Sequence, residues 1–159
     1  MRSVDELFSA AIEAADEDSR WEALSELHAL GNREVYERAM LLCHAGTPPQ
    51  RIVGAEVLGQ LNEFANDALA TLDNMLSDDD PTVVEAVVHA LSQQQNERTI
   101  DLLARVATHG AANVRWAVAT ALEDLIADER AQRVLLALMR DSDTSVRDRA
   151  TFAIGSLSD

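Results

Sequence analysis

The sequence has 159 residues and a formal net charge of −15, from 28 acidic residues against 13 arginines and no lysine. That length suits one domain with a substantial core, and a hydrophobic content of 47% excludes an intrinsically disordered chain. The acidic excess argues against a nucleic-acid-binding protein, which needs basic residues to neutralise phosphates.

The first predicted element is an N-terminal capping helix. Ser3 and Glu6 have the spacing of a capping box, which predicts a helix from there to about residue 15, within a segment of residues 1–16. The sequence after this helix predicts four two-helix units and a half unit, which together with the helix form one solenoid domain over residues 1–159. Their expected bounds are about 17–46, 47–77, 78–110, 111–141 and 142–159.

A repeated position in the first helix of each unit carries this prediction. In the last three units the residue that follows the first valine is Val84, Arg115 and Arg147, and a looser match upstream places Arg20 and Arg51 at the same position. Successive members are 31, 33, 31 and 32 residues apart. A nearly constant period of about 32 residues is typical of stacked-repeat proteins.

Second helices are predicted at 97–108 and 129–140, where apolar residues recur at helical spacing. The last unit has only a first helix, predicted at 146–157. Its open edge has two interpretations. Either charged residues such as Arg147 make it an end cap, or an apolar edge around Phe152 and Ile154 pairs with another copy of the chain.

The repeated pattern is specific enough to suggest a family. The motif Asp-x-x-Val-Arg-x-x-Ala-x-x-Ala-Leu-Gly, found best in residues 143–155 and 113–123, resembles bacterial HEAT-like repeats over residues 17–159. The resemblance implies an all-α, right-handed α-α superhelix of about four and a half repeats. It also implies first helices on the outside and second helices along a concave face.

Catalytic and metal-binding patterns are not found. None of the four histidines has a metal-ligand spacing, and the adjacent Cys43 and His44 would point apart on a helix. The acidic runs at 78–80 and 141–145 fit helix caps better than cation loops. The sequence therefore predicts no catalytic residue, no metal ligand and no cofactor. Phycobilin lyases share this repeat type, so a bilin-lyase-like enzyme stays open as an alternative.

Targeting patterns are absent too. Residues 1–19 hold acidic residues instead of an apolar leader segment, and residues 134–139 are far shorter than the roughly 20 residues of a membrane span. Cys43, the single cysteine, cannot form an intramolecular disulfide. A cytoplasmic location is therefore expected.

Both tryptophans occupy one repeat position, which should point away from the core. The five residues at this position are Trp21, Ile52, Glu85, Trp116 and Asp148. Either the tryptophans are exposed binding anchors, or each lies flat over a neighbouring helix pair.

Charged residues on the predicted second helices suggest a partner surface. The acidic members are Glu34, Glu37, Asp67, Asp73, Glu97 and Asp101, and the basic members are Arg130, Arg133 and Arg140. Spacing predicts that the three arginines share one face of a helix. The expectation is a mostly acidic concave groove that attracts a basic protein segment, with an arginine stripe at one end.

These features favour a non-enzymatic scaffold or adaptor that binds another protein, of basic character if the acidic groove is its site. Neither nucleic acid nor membrane is an expected partner. The first alternative is an acidic immunity protein or antitoxin that inhibits a basic protein. The chain is expected to be a monomer, or a homodimer through its C-terminal edge.

Overall fold

The computed structural model describes residues 2–94 and 96–156, and every regular element within them is helical. The ten α-helices are α1 Val4–Glu13, α2 Glu17–Leu30, α3 Arg33–Ala45, α4 Pro48–Gln60, α5 Ala65–Met75, α6 Pro81–Gln93, α7 Thr99–Val106, α8 Ala112–Glu123, α9 Glu129–Leu138 and α10 Thr144–Gly155. A 3₁₀ turn, Asn62–Phe64, precedes α5. The predicted all-α solenoid is confirmed.

Two layers of helices enclose a continuous apolar core. Helices α4, α6, α8 and α10 pack side by side in chain order, and α2 contacts α4. Helices α3 and α5, and likewise α7 and α9, are neighbours in the other layer. We call the outer surface of α2, α4, α6, α8 and α10 the first-helix face, and that of α3, α5, α7 and α9 the second-helix face.

The N-terminal helix begins at the predicted capping box. The Ser3 hydroxyl accepts a hydrogen bond from the Glu6 backbone N–H at 3.2 Å, and the Glu6 carboxylate accepts one from the Ser3 N–H at 2.7 Å. These bonds satisfy two N–H groups that a helix start leaves without intrahelical partners. The helix ends at Glu13, slightly before the predicted residue 15.

The predicted ends of three further helices are corrected. The second helices are shorter than expected: α7 runs from Thr99 to Val106 and α9 from Glu129 to Leu138. The last helix starts at Thr144 because the Asp143 carboxylate accepts the free N–H groups that follow. Its predicted end, Leu157, lies outside the described residues.

Two of the periodic arginines join consecutive units in the same way. Arg115 donates from Nε and Nη2 to the two carboxylate oxygens of Asp141, at 2.7 and 2.8 Å, and from Nη1 to the carbonyl of His109 at 2.8 Å. Arg51 makes the same arrangement with Asp78, at 2.8 and 2.9 Å, and with the carbonyl of Gly46 at 2.9 Å. Each guanidinium therefore ties the loop before its helix to the loop that leads into the next unit.

Two glycines of helix α4 allow neighbouring helices to approach it closely. A Cβ atom added at Gly59 would lie 2.7 Å from the Ala90 Cα atom, and one added at Gly54 would lie 2.7 Å from the Cys43 sulfur. Only glycine fits at such distances, so α4 packs tightly against both α6 and α3.

None of the described helices has the length and apolar content to cross a membrane.

Candidate binding groove on the first-helix face

A groove of about 500 Å³ lies on the first-helix face where α2 and α6 flank α4. Its lining residues are Glu17, Asp18, Arg20, Trp21 and Leu24 from α2, Glu56 and Gln60 from α4, and His89, Ala90 and Gln93 from α6. Its volume falls within the range of ordinary ligand pockets.

An ion pair crosses from α2 to α4 in this groove. The Arg20 guanidinium pairs with the Glu56 carboxylate and also donates to the carbonyl of Ala11 at 3.0 Å. Burial raises the pKa of Glu56, and the adjacent Arg20 charge opposes that rise. Since Arg20 is held by these two contacts, its charge is already balanced within the protein.

Trp21 is the most prominent apolar side chain in the groove. It is 63% exposed, whereas Trp116, at the same repeat position, is 38% exposed. Neither tryptophan is buried in the core, so both have the exposure that a binding anchor requires. Whether either one binds a partner stays a prediction.

The two tryptophans differ in what covers them. The Arg149 guanidinium carbon lies 5.9 Å from the centre of the Trp116 ring and 5.2 Å from that of Phe152. Arg149 is fixed there by the Glu123 carboxylate and by the Thr120 hydroxyl at 3.0 Å. Within the described residues, no such cation lies over Trp21.

The acidic residues of the second-helix face are partly neutralised. Asp73 pairs with Arg105 at 2.6 Å and with Arg98 at 3.5 Å, and Asp101 pairs with Arg130 at 3.1 Å. These pairs join neighbouring units. Glu34 and Glu37 on α3 and Asp67 on α5 are exposed. The predicted acidic groove is thus interrupted at two of its carboxylates.

Two predicted positions on second helices are corrected. Glu97 lies in the turn before α7, which begins at Thr99, and Arg140 lies beyond the end of α9 at Leu138. The three arginines therefore do not share one helix face. Arg130 is also bound by the Asp128 carboxylate at 2.9 Å, so its charge is engaged within the protein. Arg133 on α9 is exposed.

Sequence reasoning did not predict the groove, although the positions of some of its lining residues could be read from the helical spacing. Glu17 and Asp18 precede Trp21 by four and three residues, which places them on the same side of one helix. No sequence pattern predicts that Gln60 and Gln93 line the groove, because their positions depend on how α4 and α6 pack.

No group of three or more metal-ligating side chains is found among the described residues.

Cys43 is buried in the core, and burial raises the pKa of its thiol to about 12. Since the thiolate is the reactive form, we expect a thiol reagent at about pH 8 to label native protein far more slowly than unfolded protein. The absorbance of the reagent's coloured leaving group, followed with and without denaturant, measures the two labelling rates. Equal rates would contradict the burial.

Comparison with known proteins identifies the family. A family model described as HEAT repeats matches residues 40–122 and again residues 85–155, which together make up more than half of the chain. The protein therefore belongs to the HEAT-repeat family. No curated protein matches the sequence significantly.

Solved structures share the fold at low sequence identity. YibA of Escherichia coli superposes with a TM-score of 0.83 at 23% identity, covering 99% of this chain and 59% of YibA. The complex of CpcE and CpcF of phycocyanin lyase from Nostoc sp. PCC7120 gives 0.76 at 15% identity, covering 94% of this chain and 96% of that one. A designed armadillo repeat protein in complex with the peptide (KR)4 gives 0.60 at 14%, covering 99% and 82%. This chain spans about three fifths of YibA, and these likenesses show the fold alone.

Proposed function

We propose that this HEAT-repeat protein is a non-catalytic binding module that holds a segment of another protein in the groove on its first-helix face. The observation that carries the proposal is the exposure of Trp21 at this groove. Tryptophan is enriched among the residues that dominate binding energy at protein interfaces. Exposing so large an apolar side chain in a concave site favours an interaction role.

The second-helix face supports the proposal less well. Its carboxylates Asp73 and Asp101 are engaged by arginines of the neighbouring unit, so a partner would have to compete with existing ion pairs. The groove residues Glu17 and Asp18, in contrast, are exposed. The single buried cysteine agrees with a reducing compartment, and the proposal includes a cytoplasmic location.

Replacing Trp21 with Ser should weaken partner binding without affecting the fold, because the side chain lies largely outside the core. A truncated interface tryptophan costs about 2 kcal/mol or more of binding energy, which lowers affinity about 30-fold. Quantitative affinity purification from a cell extract, with wild-type and variant proteins as bait, measures the loss. Isothermal titration with the purified partner then gives the two dissociation constants.

The matched control is Leu136→Ser, which removes a 51% exposed apolar side chain from α9 on the other face. The proposal predicts full retention of the partner by this control. Loss with Leu136→Ser but not with Trp21→Ser would move the site to the second-helix face. If no cellular protein is retained by the wild type and lost with Trp21→Ser, the proposed function is contradicted. A single partner with very fast, salt-dependent association would favour the alternative of an inhibitor of a basic protein.

A further inference from the structure

We infer that the groove is built to take an arginine or lysine side chain of a basic protein segment, with the cation over the Trp21 ring beside Glu17 and Asp18. This inference rests on the proposed function and names the chemistry of the partner. Three features support it: the arginine over Trp116, the charges around Trp21 and the dimensions of the groove.

The internal precedent comes from the repeat itself. Trp116 is covered by Arg149, which lies two residues after the repeated position Arg147 of the following unit. The corresponding residue after Trp21 is Val53, two residues after Arg51, and it is fully buried. The equivalent position is therefore an arginine over Trp116 but a buried valine in the unit after Trp21, and no cation of the described residues lies over the Trp21 ring.

The charges beside Trp21 favour a cation from outside. Glu17 and Asp18 lie one turn before Trp21 on α2, and both are exposed. Arg20 does not neutralise them, because its guanidinium is bound by Glu56 and by the Ala11 carbonyl. A guanidinium or ammonium over the indole ring would combine a cation–π contact with two nearby carboxylates.

The groove can also accommodate the backbone of such a segment. Its volume of about 500 Å³ extends across three helices, from Trp21 on α2 to Gln93 on α6. The amides of Gln60 and Gln93 provide donors and acceptors for peptide groups. The chain's net charge of −15 draws a basic segment and repels nucleic acids and anionic membranes.

The test uses an octapeptide of alternating lysine and arginine, with an octaglutamine peptide as the uncharged comparator. The protein carries Trp116→Phe, so that its fluorescence reports on Trp21 alone. Binding of the basic peptide should change the Trp21 emission and should weaken as salt is raised, because salt screens the charges. The glutamine peptide should bind at least about tenfold more weakly.

Two double variants separate a specific site from general attraction to an acidic protein. Glu17→Gln with Asp18→Asn should lower affinity for the basic peptide about tenfold. Trp21→Leu, whose affinity is measured by isothermal titration because the variant loses the fluorescent reporter, should lower it about fivefold. The matched control, Glu34→Gln with Glu37→Gln on α3, removes the same charge from the other face and should leave affinity nearly unchanged. Equal losses in the two double variants would overturn the inference, because bulk charge would then explain the binding.

The outcomes also separate this inference from the proposed function. If a cellular partner depends on Trp21 but not on Glu17 and Asp18, and the glutamine peptide binds equally well, the groove is a binding site without cation selectivity. The proposed function then stands and the inference fails. If the basic peptide binds as expected but no cellular protein depends on Trp21, the chemistry stands and the proposed function fails.

Discussion

Replacing Asp141 with Ala is expected to lower the free energy of unfolding by about 3 kcal/mol. The pair that Asp141 forms with Arg115 is bidentate, and the two side chains are only 8% and 11% exposed. Removing the carboxylate leaves the guanidinium charge without its partner at the junction of two units. Urea unfolding followed by circular dichroism measures the change.

Arg133→Ala is the matched control, since Arg133 pairs with Glu129 only at 3.8 Å and both side chains are largely exposed. Its expected effect is within about 0.5 kcal/mol. Equal effects of the two variants would show that the Arg115–Asp141 pair does not join the units energetically.

The same pair makes stability depend on pH in a known direction. The hydrogen bonds from Arg115 hold the pKa of Asp141 below its usual value. A lowered folded-state pKa adds stability above the unfolded value of about 3.9, and this contribution is lost as the pH falls further through the folded value. In Asp141→Asn, stability measured in this acidic range should therefore vary less with pH than in wild type.

Replacing Gly59 with Ala is expected to destabilise the protein by about 2–3 kcal/mol. The added Cβ would lie 2.7 Å from the Ala90 Cα atom and 3.1 Å from its carbonyl oxygen. Because backbone atoms occupy the space, α4 and α6 must move apart. Combining the change with Ala90→Gly should not restore stability, since the close Cα atom remains.

Gly155→Ala is the control for helix propensity, because a Cβ there would meet no atom of the described residues within 4 Å. It is expected to be neutral or to stabilise by up to about 1 kcal/mol. Thermal unfolding of both variants gives the comparison. If Gly59→Ala were as well tolerated as this control, the tight packing of α4 on α6 would be wrong.

The repeat period made the fold predictable from the sequence. Arg51 and Arg115 marked equivalent starts of first helices, and the Ser3–Glu6 pair marked the start of α1, because these signals are local or recur at a fixed spacing. The partners of the arginines, Asp78 and Asp141, were not predicted. They lie 27 and 26 residues further along the chain, in loops whose proximity depends on how the units stack.

The candidate site was predictable only in part. A helical wheel gives the direction of Trp21 and Trp116 relative to the core, but it does not show which neighbouring side chain covers a ring. Arg149 lies 33 residues after Trp116, and only packing of α10 on α8 brings them together. The same limit applies to Asp73 and Asp101 on the second-helix face, which were expected to be open and which the fold pairs with arginines of the next unit.

The placement of the groove links its occupancy to the curvature of the solenoid. Its two walls belong to α2 and α6, with α4 between them, so its width follows the angles between three consecutive units. In a stacked-repeat protein each unit contacts only its neighbours, and bending is distributed along the stack. A segment bound as proposed would hold those angles fixed, so binding on one face would also set the spacing of α3, α5 and α7 on the other.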